Sequence, residues 1–234
     1  MKPIGILWVL AFGITSLTTN AADMAERTKA CESCHGSEGR AGPDGFYPRI
    51  AGKPAGYLYN QMQNFAEDRR HYTMMRRMMA PLTPQYQKEM ADYFSTLQLP
   101  YPPPSNKNTP TSAAQMARGQ QLALQGDATQ KLPACNACHG TDLMGFQPNV
   151  PGLLGLPSAY LGAQLSAWTL GERSTKAPDC MSHIAKRLSP DDAAAVVSWL
   201  AAQKIPTHTQ ASKPPMLATD LRCASAPELH GAKP

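Results

Sequence analysis

Cys31-Glu32-Ser33-Cys34-His35-Gly36 and Cys135-Asn136-Ala137-Cys138-His139-Gly140 are two copies of one pattern: two cysteines three residues apart, with a histidine directly after the second. On the first turns of a helix, positions i, i+3 and i+4 share a face, so two sulfurs and one imidazole are presented together to a single flat partner. That is the arrangement of covalent haem attachment, with both thiols bonded to the porphyrin edge and the histidine on the iron. With six Cys and six His in 234 residues, composition alone yields about 0.004 such matches per chain. Two haem c groups are therefore expected, one bonded to Cys31 and Cys34 with His35 on its iron, the other to Cys135 and Cys138 with His139.

Outward from each copy the chain repeats itself. At a constant offset of 103, Pro48 falls on Pro151, Gly52 on Gly155, Pro54 on Pro157, Tyr57 on Tyr160, Leu58 on Leu161, Gln61 on Gln164 and Phe65 on Trp168. After a three-residue insertion the offset is 106, which places Thr83-Pro84 on Ser189-Pro190 and Tyr93 on Trp199. The spacing predicts helices over Asp23 to Gly36, from Pro54 through Phe65, and from Pro84 through Leu97 with Thr83 as cap, and it leaves 69–82 as a basic, Met-rich loop. An all-α chain follows, with one module around each haem. Without the porphyrin, each module of about 80 residues would have a thin core.

Two further pairs repeat in register. Counting eight residues back from Thr83 gives Met75, and eight back from Ser189 gives Met181. Each is the expected second iron ligand, a soft thioether that favours the ferrous state and closes the iron to other ligands. His183, two residues after Met181, is the rival ligand. Pro48 and Pro151 lie 13 and 12 residues after their histidines, placed so that the proline carbonyl accepts the imidazole Nδ1–H and fixes the tautomer.

The flanks bound the compartment. Lys2 followed by the apolar run Ile4 to Ile14 and small polar residues to Ala22 reads as a secretory leader, 1–22, too short to span a bilayer. It carries one charge, so the remainder keeps a net charge of +4 against +5 for the whole chain, and four haem propionates would bring that to about zero. The basic residues are scattered and Arg69-Arg70 follow Glu67-Asp68, so no nucleic-acid partner is expected. Cys180 and Cys223 remain, an even pair in an exported chain, and are expected to form a disulfide. The domain boundaries expected are 23–98, a Pro-rich linker 99–111, 112–204, and a tail 205–234 tethered by that bond.

The two modules, the run Tyr47-Pro48-Arg49-Ile50-Ala51-Gly52 followed by Tyr57-Leu58, Gln61-Met62 and Phe65, and the methionines before a Thr/Ser-Pro helix resemble dihaem cytochrome c4 over residues 24–204. The resemblance implies two tandem class I cytochrome c domains related by a pseudo-twofold axis, haems facing each other, and His/Met ligation at both irons. It also implies a periplasmic electron carrier between a quinol-oxidising complex or a dehydrogenase and a terminal oxidase. Such a carrier has membrane respiratory complexes or a dehydrogenase as partners and no small-molecule substrate. Cys180, Cys223, the tail and the Met- and Arg-dense stretch 69–81 lie outside the family pattern. They invite the alternative of a dihaem oxidoreductase, such as a thiosulfate dehydrogenase or a peroxidase, that uses the Cys180 thiolate near the second haem. A Cys₄ zinc protein would leave both histidines unused.

Overall fold

The computed structural model describes residues 21–42, 45–101, 111–206 and 221–230. The first half holds α1 (Ala21–Arg27), α2 (Lys29–His35), α3 (Ala55–Ala66), α4 (Thr73–Met79) and α5 (Pro84–Thr96). The second holds α6 (Ala113–Leu124), α7 (Cys135–His139), α8 (Ser158–Leu170), α9 (Cys180–Ala185) and α10 (Pro190–Ala202). One two-residue antiparallel pair, β1 (Gly145–Phe146) with β2 (Val150–Pro151), closes the loop after α7. The fold is thus all-α in two similar halves. Residues 1–20 of the expected leader and 102–110 of the expected linker lie outside the described residues.

Helix starts follow the local chemistry. Thr83 Oγ1 accepts from Tyr86 N at 3.2 Å and Ser189 Oγ from Asp192 N at 3.1 Å, each with proline at the first helical position, where no N–H is needed. Two expectations need correction. The stretch expected as a single N-terminal helix is broken at Thr28, whose buried hydroxyl bonds back to Met24 O at 2.7 Å and competes with the helical ladder. The stretch expected as a Met-rich loop contains α4. Met and Arg are both good helix formers, and the charge density that suggested a loop is carried on the helix's outer face, where Met74, Arg76 and Arg77 are exposed.

In the first half α3 packs on α5 around a small cluster of Leu58, Ala91 and Phe94, with Phe65, Met79 and Met90 also buried nearby in the chain. The second half has a fuller core, from Leu122 and Leu132 through Tyr160 and Leu161 to Val196, Trp199 and Leu200. There α6 lies directly against α10 because Gly119 lacks a side chain. A Cβ at that position would run into the Ala195 carbonyl and come within 2.7 Å of Trp199 Cβ. Arg118 bridges the same helices, pairing in a fork with both carboxylate oxygens of Asp192 at 2.7 and 3.0 Å and with Asp127 at 2.9 Å.

The halves are joined backbone to backbone. Arg70 and Arg173 form an isolated antiparallel bridge, flanked by His71 N to Glu172 O at 2.8 Å and Ser174 N to Arg69 O at 2.6 Å. A third apolar cluster lies under residues 221–230, where Cys223, Ala226 and Leu229 cover Phe146 and Val150.

Candidate functional site

Each half contains a cavity built around its Cys-x-x-Cys-His helix. The first, 440 Å³, is lined by Cys31, Cys34, His35, Pro48 and the methionines of α4; the second, 180 Å³, by Cys135, Cys138, His139, Pro151 and Met181. The four cysteines are unbridged, half-buried thiols. Burial raises the thiol pKa of Cys31 and Cys138 and pushes Cys135 up to about 12.

The histidines are held alike. His35 Nδ1 lies 2.8 Å from Pro48 O and His139 Nδ1 lies 2.8 Å from Pro151 O. A carbonyl oxygen only accepts, so Nδ1 carries the proton in both rings and Nε2 keeps its lone pair for an iron. Both rings are buried, and that burial lowers their pKa, which keeps them in the neutral form that binds metal.

On the distal side, Met75 is half-buried on α4 and lines the first cavity, as do Met74, Met78 and Met79. Met181, in the first turn of α9, lines the second cavity alone among the methionines, and the exposed His183 is outside the lining. Its neighbour Cys180 is in a disulfide with Cys223, with Cα atoms 5.0 Å apart.

Between the cavities runs a basic seam that sequence reading missed. Gln61 Oε1 accepts from Arg70 at 2.9 Å and from Arg173 at 2.9 Å, while Gln164 Oε1 accepts from the same two guanidinium groups at 2.7 Å each. Arg70 also donates to Tyr160 OH at 3.2 Å. Arg173 lies flat on Trp168, its carbon 3.8 Å from the ring centre. Lys53 is buried at the wall of both cavities, and burial pushes its ammonium down to about 8. Among the described residues no carboxylate lies within ion-pairing distance of Lys53, Arg70 or Arg173. Arg173 Nε and Trp168 Nε1, both in the lining of the second cavity, are buried without a hydrogen-bond partner. Arg70 and Arg173 stand at the same offset of 103 that relates Gln61 to Gln164, so the repeat carried the signal.

Two buried cations, Lys53 and Arg173, with the half-buried Arg70 beside them, none paired to an acid among the described residues, and orphaned donors next to them, call for anions at the seam. Two paired thiols, an iron-ready imidazole and a thioether across an apolar cavity complete the requirements of a haem with its propionates. The donor set fits that group in both halves. The architecture and its sites therefore define a c-type cytochrome with two haem domains.

Known proteins agree with this class. The family model described as cytochrome c matches residues 116–204. A thiosulfate dehydrogenase electron acceptor from Thiomonas intermedia (strain K12) is 38% identical over 186 residues, covering 79% of this chain and 83% of that protein. The crystal structure of reduced recombinant cytochrome c4 from Pseudomonas stutzeri superposes with a TM-score of 0.66 at 27% identity, covering 79% of this chain and 99% of its own. The thiosulfate dehydrogenase TsdBA from Marichromatium purpuratum gives a TM-score of 0.66 at 31% identity, covering 79% of this chain and 40% of that one. The chain belongs to the cytochrome c4-like dihaem cytochromes. It is an electron-transfer protein that carries covalently bound haem c.

Proposed function

We propose that this protein is a periplasmic electron carrier that is reduced by a thiosulfate dehydrogenase and passes its electrons on to a terminal oxidase. The observation that carries the reading is the duplicate site: a neutral histidine fixed through Nδ1 on a proline carbonyl, in a cavity that methionine also lines, in each half. Cys31 and Cys34 bond the first haem and Cys135 and Cys138 the second. His35 with Met75, and His139 with Met181, take the two irons. Each haem supplies one reversible electron at its iron.

The remaining work belongs to the protein. Pro48 and Pro151 hold the imidazole rings in one tautomer and orientation, so that Nε2 would be presented to an iron in a fixed position. A thioether from Met75 or Met181 as the second ligand would favour the ferrous state and so raise the potential. Lys53, Arg70 and Arg173 would supply positive charge to haem propionates, which would relieve the unpaired burial of Lys53 and Arg173. The shared glutamines place both arginines between the sites and give a continuous hydrogen-bonded path from one to the other.

Among the donors that the family resemblance implies, the dehydrogenase is favoured over a quinol-oxidising complex by the relative that accepts electrons from thiosulfate dehydrogenase. The match to two fifths of the thiosulfate dehydrogenase TsdBA chain supports the same choice. The enzyme reading required the Cys180 sulfur as a thiolate, and that sulfur is engaged with Cys223. In the test, ferric protein is mixed with a catalytic amount of thiosulfate dehydrogenase and thiosulfate. Reduction of two haem equivalents is expected only when the enzyme is present. Thiosulfate oxidation by this protein alone with a dye acceptor would overturn the carrier reading.

A further inference from the structure

The internal repeat compares the two haem sites within one molecule, and it exposes a difference at their rims. At the offset of 103, Phe46 corresponds to Asn149, Tyr47 to Val150 and Pro48 to Pro151, and at an offset of 104 Cys34 is the counterpart of Cys138. In the first half no segment among the described residues lies over this rim. Phe46 is 59% exposed, standing edge-on to Tyr47 at 5.1 Å and near Tyr72 at 6.0 Å, and Met74 on the adjacent helix α4 is 53% exposed. All four line the first cavity.

In the second half the same rim is covered by residues 221–230. Asn149 donates from its backbone N and its Nδ2 to the two carboxylate oxygens of Glu228, at 3.1 and 3.0 Å. Val150 is buried under Cys223, Ala226 and Leu229, and the partly buried Cys138 packs against the same cluster. Ser225, Ala226 and Leu229 form part of the cavity wall itself. The cover is held in three independent ways. The Cys180–Cys223 bond fixes it to α9, Ala224 N donates to Pro178 O at 3.0 Å, and Asn60 Nδ2 on α3 of the first half reaches Ser225 O at 3.3 Å.

We propose that residues 221–230 seal the edge of the second haem site, so that protein partners exchange electrons with this molecule through the first haem alone. The inference rests on the reading of one haem in each cavity. Electron tunnelling falls exponentially with distance, so an added layer of chain over one rim, with no such layer among the described residues over the other, separates the two ports strongly. The partner surface follows from the first rim. Phe46 and Met74 supply an exposed apolar centre, and Arg77, one turn from Met74 on the same face of α4, supplies an exposed positive fringe. The occupant that fits is a redox protein with an apolar contact point bordered by carboxylates. The second haem then exchanges electrons with the first across the seam and serves as an internal store.

The test reads access directly, without a partner. In the reduced, diamagnetic holoprotein, a neutral gadolinium chelate in solution should relax the methyl protons of the first haem several-fold faster than those of the second. Leu229→Asp should lift the cover and bring the second set towards the first. Should that variant fail to fold, Glu228→Ala removes only the two bonds to Asn149 and should move the second set in the same direction. Equal relaxation of both haems in the unaltered protein, or no change at the second in the variant that folds, overturns the proposal. Stopped-flow reduction by the dehydrogenase gives the second arm. Arg77→Glu should slow the reduction of both haems about tenfold; no slowing, or slowing of half the amplitude only, would mean a separate port at the second haem. A preparation whose mass shows fewer than two bound haems would instead defeat the dihaem reading on which the inference stands.

Discussion

Replacing Cys180 and Cys223 together by serine removes the one covalent link between α9 and the C-terminal segment. The two residues are 43 apart in sequence, and closing a loop of that length in the unfolded chain is worth about 4 kcal/mol in the chain-entropy model. The haem bonds do not substitute for this restraint, because each closes a loop of only a few residues. For a chain of this size about 4 kcal/mol corresponds to a fall in Tm of roughly 8–16 °C. The upper part of that range is expected, since Cys223 is buried against Phe146 and Ala226 and a serine there must bury a hydroxyl. Both cysteines are changed so that no stray thiolate is left beside Met181 to compete for the iron. Thermal unfolding followed by far-UV circular dichroism and by haem absorbance measures the shift on the same sample. A change below about 3 °C would refute the reasoning. So would free thiols in unaltered protein that has been denatured without reductant.

Met75→His or Met181→His should lower one of two resolved potentials by on the order of 0.1 V or more, because nitrogen favours ferric iron more than a thioether does; a titration with both potentials unchanged would place the ligand elsewhere. Asp192→Asn should cost about 2 kcal/mol at neutral pH, since Arg118 loses a forked, charge-assisted partner, and chemical denaturation measures it. Thr129 and Arg118 hold Asp127 down to about 2, and Arg118 depresses Asp192 as well. Their stabilisation is therefore complete above the unfolded carboxylate value near ~4 and is lost as pH falls towards 2. An acid titration should show that loss, reduced in the Asn variant. Gly119→Ala should destabilise the second half by about 1–3 kcal/mol through collision with α10, and an unchanged denaturation midpoint would show that the helices can part without cost.

The two haem sites were legible because their chemistry is local. Cys-x-x-Cys-His spans one helical turn, the capping Thr83 and Ser189 announce the last helix of each half, and the histidine-to-proline distance recurs within one residue. What escaped depended on contacts between distant segments. Nothing near Arg70 indicates that its guanidinium will share two glutamine oxygens with Arg173, a residue 103 positions later, and only superposing the halves makes the pair visible. Helix α4 was missed because its charge density was read as solvation, whereas Met75, Met78 and Met79 turn inward from the same segment. Register with Met181 singles out Met75, whereas six methionines line that first cavity, four of them on α4, so side-chain lining by itself does not separate them. The covering role of 221–230 could not be read from a tail whose composition offers only Cys223 as an anchor.

Arg70 to Gln164 and Arg173 to Gln61 cross between the halves, and each arginine is also held by the glutamine of its own half, so the halves cannot swing apart by loosening a single contact; both crossing bonds stretch together. Exchange between two haems held in these cavities would cross a fixed gap and would need no hinge to close before each event. Its rate should be indifferent to solvent viscosity, and two electrons accepted one after another should behave as the filling of one rigid capacitor.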